Sequence, residues 1–209
     1  FFGATSFTGD GVSNWDTSSV TTVQNTFMDA TSFTGDGVSN WNTSMVTTLF
    51  GTFSGATSFT GDGVSNWNTS SVTTLYGTFY GATSFTGDGV SNWDTSSVTT
   101  LRETFRDATE FNGNLSNWDT SRVTTMELTF YNATSVMGDG ISNWDTSNVK
   151  VLKGTFAYSL SFNGDLSRWN TASVTNMYGA FTGTNSFTGD SIANWNTSKV
   201  TDLGYTFHD

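Results

Sequence analysis

The chain has no cysteine, no proline, a single histidine and only 7 basic residues against 18 acidic ones. Without cysteine there is no disulfide, no thiol nucleophile and no Cys-based zinc site. The one histidine, His208, lies at the extreme end, so no Ser-His-Asp arrangement can be built within the body of the chain. A formal net charge of -11 argues against nucleic acid or an anionic membrane surface as partner. No run approaches the roughly 18 apolar residues of a membrane span, and Phe1 opens in mid-pattern without a basic, apolar targeting segment.

Threonine, serine, asparagine and glycine are abundant, as in a disordered or mucin-like stalk. Eighteen phenylalanines and 8 tryptophans contradict that reading. Aromatics at this density in a soluble chain need burial, so their spacing carries the information.

Trp15, Trp41, Trp67, Trp93, Trp118, Trp144, Trp169 and Trp195 are 26 residues apart, shortened twice to 25. A fixed period of this length marks a repeat architecture. Around each Trp the same inward candidates recur. In the first copy they are Val12, Val20, Val23, Phe27, Ala30 and then Phe33. One glycine column, from Gly9 through Gly61 to Gly189, is invariant, which calls for a positive φ or a close approach of neighbouring backbones. A single repeat cannot bury its own side chains, so copies must stack.

These patterns predict one solenoid spanning residues 1–209, with eight right-handed coils of 25 or 26 residues. Each coil is expected to hold one short parallel β-strand, short helical or 3₁₀ turns and much irregular structure. The β-branched and aromatic run from Val12 to Thr17 reads as the strand. Val20, Val23, Phe27 and Ala30 fall at helical spacing and read as a short helix or 3₁₀ turn.

The run GDGVSNWDTSSVTTL, followed by TF and a small residue, resembles the 26-residue repeat of bacterial surface proteins. It is also similar to the BspA-type leucine-rich pattern, with Val12, Trp15, Thr17, Val20, Val23, Phe27 and Ala30 in the patterned places. The resemblance implies a leucine-rich-repeat-like solenoid with a strand at the Trp, displayed outside the cell by lipoproteins and adhesin-like proteins.

Candidate sites follow from the columns. Asp10, Asp36, Asp62 and Asp88 would repel one another if stacked, and a bound calcium ion would relieve that repulsion. Against a metal, a second column exchanges Asp16, Asn42, Asn68 and Asp94 freely, which suits side chains that close turns. Asn42, Asn68, Asn114, Asn132 and Asn196 stand in N-x-S/T sequons, and Asn132, in a variable column, is the one expected to be exposed. Phe50, Tyr76, Tyr80, Arg102, Arg106, Tyr131 and Tyr178 occupy columns that vary from copy to copy, and Tyr and Arg are typical of interaction surfaces. A ladder of Thr21, Thr47, Thr73, Thr99 and Thr124 raises ice binding, but it breaks at Lys150.

Carboxylates repeated identically in every copy describe a scaffold and not one tuned acid and base. The expected function is therefore a non-catalytic extracellular structural or surface protein with no cofactor. Phe1 sits in the Phe27 column and Phe207–Asp209 begins a ninth unit, so neither end carries a cap. Two expectations correspond: residues 1–209 are part of a longer array, or the chain self-associates, end to end into a filament or laterally. The alternative is an adhesin that binds a host protein or glycan through the variable face.

Overall fold

The computed structural model describes residues 1–209. Successive repeats lie one over another in register. Trp15 and Trp41 stack with centroids 6.2 Å apart and planes within 7°, and Trp41 and Trp67 stack at 6.3 Å and 4°. Phe27, Phe53, Phe79 and Phe105 form a second pile at 5.6, 5.6 and 5.7 Å. Each of these rings also pairs inside its own repeat, as Phe27 does with Phe33 at 4.0 Å and Phe79 with Phe85 at 4.0 Å. With the aliphatic columns they make one continuous core of 45 buried residues. Trp15 is 51% exposed and Phe207 60%, against 6% for Trp41 and 0% for Phe79, because a terminal rung has a neighbour on one side only.

The indole N–H groups tie the tryptophan column to the repeat before it. Trp41 Nε1 donates to the Val12 carbonyl at 3.1 Å and Trp67 Nε1 to that of Val38 at 3.1 Å. A buried indole needs such a partner. Buried threonines act in the same way. Thr78 Oγ1 reaches the Leu75 carbonyl at 2.8 Å and the Leu49 carbonyl of the preceding repeat at 3.0 Å.

The expected strand at Val12–Thr17 is not there. Parallel pairing consists of single bridges seven residues beyond the Trp, linking Thr48, Thr74, Thr100, Thr125, Val151, Asn176 and Asp202 in order. The segment before each Trp is a turn instead, with the Trp41 N–H donating to the Val38 carbonyl at 3.1 Å. In three repeats it closes as a 3₁₀ turn, at Val90–Asn92, Ile141–Asn143 and Asp190–Ile192. Burial, not extension, accounts for the β-branched composition there.

The expected helix over Val20–Ala30 is also absent. Asn25 and Asp29 have φ of 53° and 57°, which no right-handed helix contains. The N–H groups of Thr26, Met28 and Ala30 close turns onto Val23, Asn25 and Phe27. Those of Asn25, Phe27 and Asp29 point the other way, to the carbonyls of Phe50, Thr52 and Ser54 in the next repeat, at 2.9, 2.9 and 2.7 Å. Backbone donors thus alternate between turn and neighbour, while Val23, Phe27 and Ala30 still face the core.

Candidate functional site: a tyrosine-lined face

The aspartate columns are occupied with local hydrogen bonds. Thr8, Thr34, Thr60 and Thr86 hydroxyls donate to Asp10, Asp36, Asp62 and Asp88 at 3.1, 3.0, 3.0 and 3.0 Å. No three His, Asp or Glu side chains converge as a metal site would require. In the other column the carboxylate or amide oxygen closes an Asx turn. Asn42 Oδ1 accepts the Ser44 N–H at 3.1 Å, and Asp94 Oδ1 accepts the Ser96 hydroxyl at 2.6 Å and its N–H at 3.0 Å. Either residue type can accept these bonds, which explains the free exchange.

The Ser96 hydroxyl, and after it the Ser96 N–H, holds the Asp94 carboxyl below its ordinary range. A depressed folded-state value means that the contribution to stability is full above about pH 4 and is lost as pH falls through the folded value. Asp94→Asn keeps an acceptor in place. It is expected to leave stability at pH 7 within about 0.5 kcal/mol of the parent and to lose less stability than the parent on acidification to pH 3. Urea unfolding at the two pH values measures both.

The sequon residues Asn42, Asn68, Asn114 and Asn196 are exposed. Asn132, expected to be the exposed one, is half-buried, and its Nδ2 donates to Asp107 Oδ1 at 2.8 Å. Its φ of 54° turns the side chain across the face onto the preceding repeat. The hydroxyls of the Thr21 ladder are also engaged, as Thr73 Oγ1 donates to the Thr47 carbonyl at 3.2 Å.

The variable columns form one face. Arg106 lies between two rings, 5.2 Å from the Tyr80 centroid and 5.1 Å from that of Tyr131, and Arg102 lies 5.2 Å from the Tyr76 centroid. Cations over aromatic faces are attracted by the ring quadrupole. Carboxylates neutralise the same groups: Arg102 pairs with Glu103 at 3.1 Å and Glu127 at 3.4 Å, Arg106 with Asp107 at 3.3 Å, and Lys153 with Glu127 at 3.2 Å. Tyr131 meets Tyr158 edge to face at 5.3 Å, and Tyr178 meets Tyr205 at 5.5 Å. The chain has 6 tyrosines, and these residues, with Tyr76 and Tyr80, account for all of them. The Phe and Trp columns fill the core, and tyrosine is kept for this surface.

Sequence reasoning found Phe50, Tyr76, Tyr80, Arg102, Arg106, Tyr131 and Tyr178 on this face, but missed Glu103, Leu128, Tyr158 and Tyr205. These four have φ of 53°, 56°, 59° and 55°. Elsewhere their two columns hold glycine, such as Gly51, Gly77 and Gly183 with φ of 59°, 59° and 60°, or Asn and Asp, such as Asn25 and Asp29 with φ of 53° and 57°. A side chain that replaces glycine at positive φ carries backbone strain, and such residues concentrate where a surface is used. The signal that could have found them is large side chains standing in columns otherwise held by Gly, Asn and Asp.

The stacked rungs and face define a tandem-repeat protein. The chain belongs to the family described as Mycoplasma protein of unknown function, DUF285, whose model matches residues 1–88, 60–140 and 135–209. No curated protein and no solved structure matches it. No helix is long and apolar enough to cross a membrane.

Proposed function

We propose that the protein is a non-catalytic binding module displayed outside the cell. In this reading a right-handed, leucine-rich-repeat-like solenoid of the BspA type serves as the rigid support and the tyrosine face as the contact surface. The observation that carries it is the gathering of every tyrosine, with Arg102 and Arg106, on one side of the core ladder. Tyrosine supplies a large, stiff and amphipathic contact area, and Gly, Ser and Asn between such anchors supply adaptable polar contacts. In that setting Asn42, Asn68, Asn114 and Asn196 are the exposed glycan acceptors.

The test is the binding of fluorescently labelled protein to intact cells, read by flow cytometry. The triple variant Tyr76→Ala/Tyr80→Ala/Arg106→Ala is expected to bind about thirtyfold more weakly, the effect of losing one strong hot spot or two moderate ones. Its unfolding midpoint should stay close to the parent value, because none of the three side chains lies in the core. Unchanged cell binding would overturn the proposal. If the triple variant instead changes the size of the particle in light scattering, the face is a contact between copies and the structural, filament-building role takes its place.

A further inference from the structure

We infer that the tyrosine face holds two cups, each shaped for a short neutral saccharide; this deepens the binding role proposed above and rests on it. The cups arise from one backbone column. Reading along it, the residues are Asn25, Gly51, Gly77 and Glu103, then Leu128, Gly154, Gly179 and Tyr205. All eight share a positive φ between 53° and 60°. The backbone is therefore the same in every repeat, and only the side chains alternate: one present, two absent, one present, in each half of the chain. Each glycine pair lines a depression bounded at both ends by the side chains in its own column, with Asn25 and Leu128 leaning over Gly51 and Gly154 and leaving Gly77 and Gly179 open.

Two cavities, of about 330 and 340 Å³, lie over the two glycine pairs. The first is walled by Met28, Phe50, Tyr76 and Tyr80, the second by Tyr131, Tyr158, Tyr178 and Tyr205. Both fall at the small end of ligand pockets. Glu103 and Leu128, neighbours in the column, make the ridge between them with the Arg102 and Arg106 ion pairs.

Lining chemistry selects the ligand. No intramolecular hydrogen bond engages any of the 6 tyrosine hydroxyls, so each is available to an incoming group. Phe50–Tyr76, Tyr131–Tyr158 and Tyr178–Tyr205 meet at 66°, 78° and 62°. The ring whose edge makes the contact keeps both faces clear of its partner. A sugar presents a C–H face to such rings and a rim of hydroxyls to the phenols. An apolar ligand would strip water from the phenols and return no bond.

Charge narrows the choice further. The first cup carries Glu103 and the second Lys153 and His208, so a ligand that suits both is neutral. Glu103 and Lys153 are already paired, with Arg102 at 3.1 Å and Glu127 at 3.2 Å. A protein partner needs a surface of about 800 Å² per side, whereas each cup is a half-open depression two glycines long. Two cups on one face would allow a longer glycan, or two chain ends, to bind with avidity.

The test fills the cups without touching their walls. A Cβ added at Gly77 comes no closer than 3.9 Å to any atom outside its neighbours, and one at Gly179 meets only the Thr182 hydroxyl, at 3.2 Å. The column already holds Asn25 at φ 53°, and asparagine visits this region readily. Gly77→Asn and Gly179→Asn thus plug one cup each with little strain. Neutral trisaccharides of glucose, galactose and N-acetylglucosamine are titrated into the 209-residue protein, with calorimetry giving stoichiometry and tyrosine ring NMR shifts giving location.

At least one trisaccharide should bind with two equivalents. Each plug should remove one site, weakening it at least tenfold, and the double variant should remove both while its unfolding midpoint stays near the parent's. Absence of binding by all three sugars, or two sites that survive the double plug, would overturn the inference. If none of the sugars binds while Tyr76→Ala/Tyr80→Ala/Arg106→Ala loses cell attachment, the face recognises protein and the cups alone are refuted. If the sugars bind in the cups but that triple variant still attaches to cells, the proposed function falls and the cups stand.

Discussion

Phe79→Ala is expected to lower the unfolding free energy by about 3–5 kcal/mol, the range for truncating a fully buried ring. Phe79 is fully buried and meets five other rings: Phe53 at 5.6 Å, Phe59 at 6.1 Å, Phe85 at 4.0 Å, Trp93 at 5.7 Å and Phe105 at 5.7 Å. Alanine removes the ring from water-excluded space and leaves a void bounded by stiff aromatic planes. Those planes are stacked on further rungs above and below, so the void cannot close by a local shift. Phe207→Ala supplies the comparison. The same column position is 60% exposed there, and its ring stacks on Phe181 alone at 5.5 Å, so the expected loss is under about 1 kcal/mol. Urea denaturation followed by tryptophan fluorescence measures both variants. A Phe79→Ala loss no greater than that of Phe207→Ala would mean that the rungs are energetically independent, against the contact geometry.

That contrast also shows what was legible in the sequence. The period, the identity of the core columns and the stacking of like on like all follow from the spacing of Trp and Phe. Burial has a direct compositional signature in those residues. The Asp/Asn exchange likewise pointed correctly to turns, because an Asx turn asks for an oxygen and not for a charge.

Backbone conformation was less legible. Val20, Val23, Phe27 and Ala30 sit at helical spacing and do face inward, yet the path between them runs through positive φ at Asn25 and Asp29. A chain that turns by overlapping three-residue closures presents a residue to the core at intervals that a helix would also produce. The strand was misplaced for a related reason. In the second repeat Val38 and Trp41 are buried, and burial favours the same residue types as a strand does, whereas the parallel bridges fall at Thr48 and its counterparts, which are half-exposed.

The candidate site was half legible. Its Tyr and Arg residues stood out as variation on a constant background. The glycine floors did not, because a glycine in a variable column looks like the absence of information. Only the shared φ of Gly51, Gly77, Gly154 and Gly179 with Asn25, Glu103, Leu128 and Tyr205 shows that one backbone position has been left bare in some repeats and furnished in others.

Glycine in the invariant column plays another part, and Gly61→Ala is expected to cost about 2–5 kcal/mol, from overpacking together with backbone strain. Gly61 has φ of 110°, outside even the left-handed region that Asn25 or Leu128 occupies. A Cβ added there would run into the Asp88 carbonyl oxygen of the next repeat and lie 3.0 Å from Phe85 Cε2. Neither neighbour can yield. Asp88 belongs to the backbone of the adjacent rung, and the Phe85 ring is fully buried between Phe59 at 5.7 Å and Phe111 at 5.7 Å.

The shortened repeats separate the two causes. Gly113 and Gly164 lack the positive φ of their counterparts, yet a Cβ on them would lie 2.8 Å from the Gly87 Cα and 3.1 Å from the Gly138 Cα. Close approach therefore keeps glycine in this column even where the dihedral does not demand it. Gly11→Ala isolates the dihedral, since Gly11 has φ of 87° and no atom within 4 Å of an added Cβ, and it should cost only about 1 kcal/mol. Thermal and urea unfolding of the two variants side by side decides the matter. If Gly61→Ala were as mild as Gly11→Ala, adjacent repeats would have room to separate at this column, and the contact that sets the spacing of the rungs would have to lie among the aromatic rings alone.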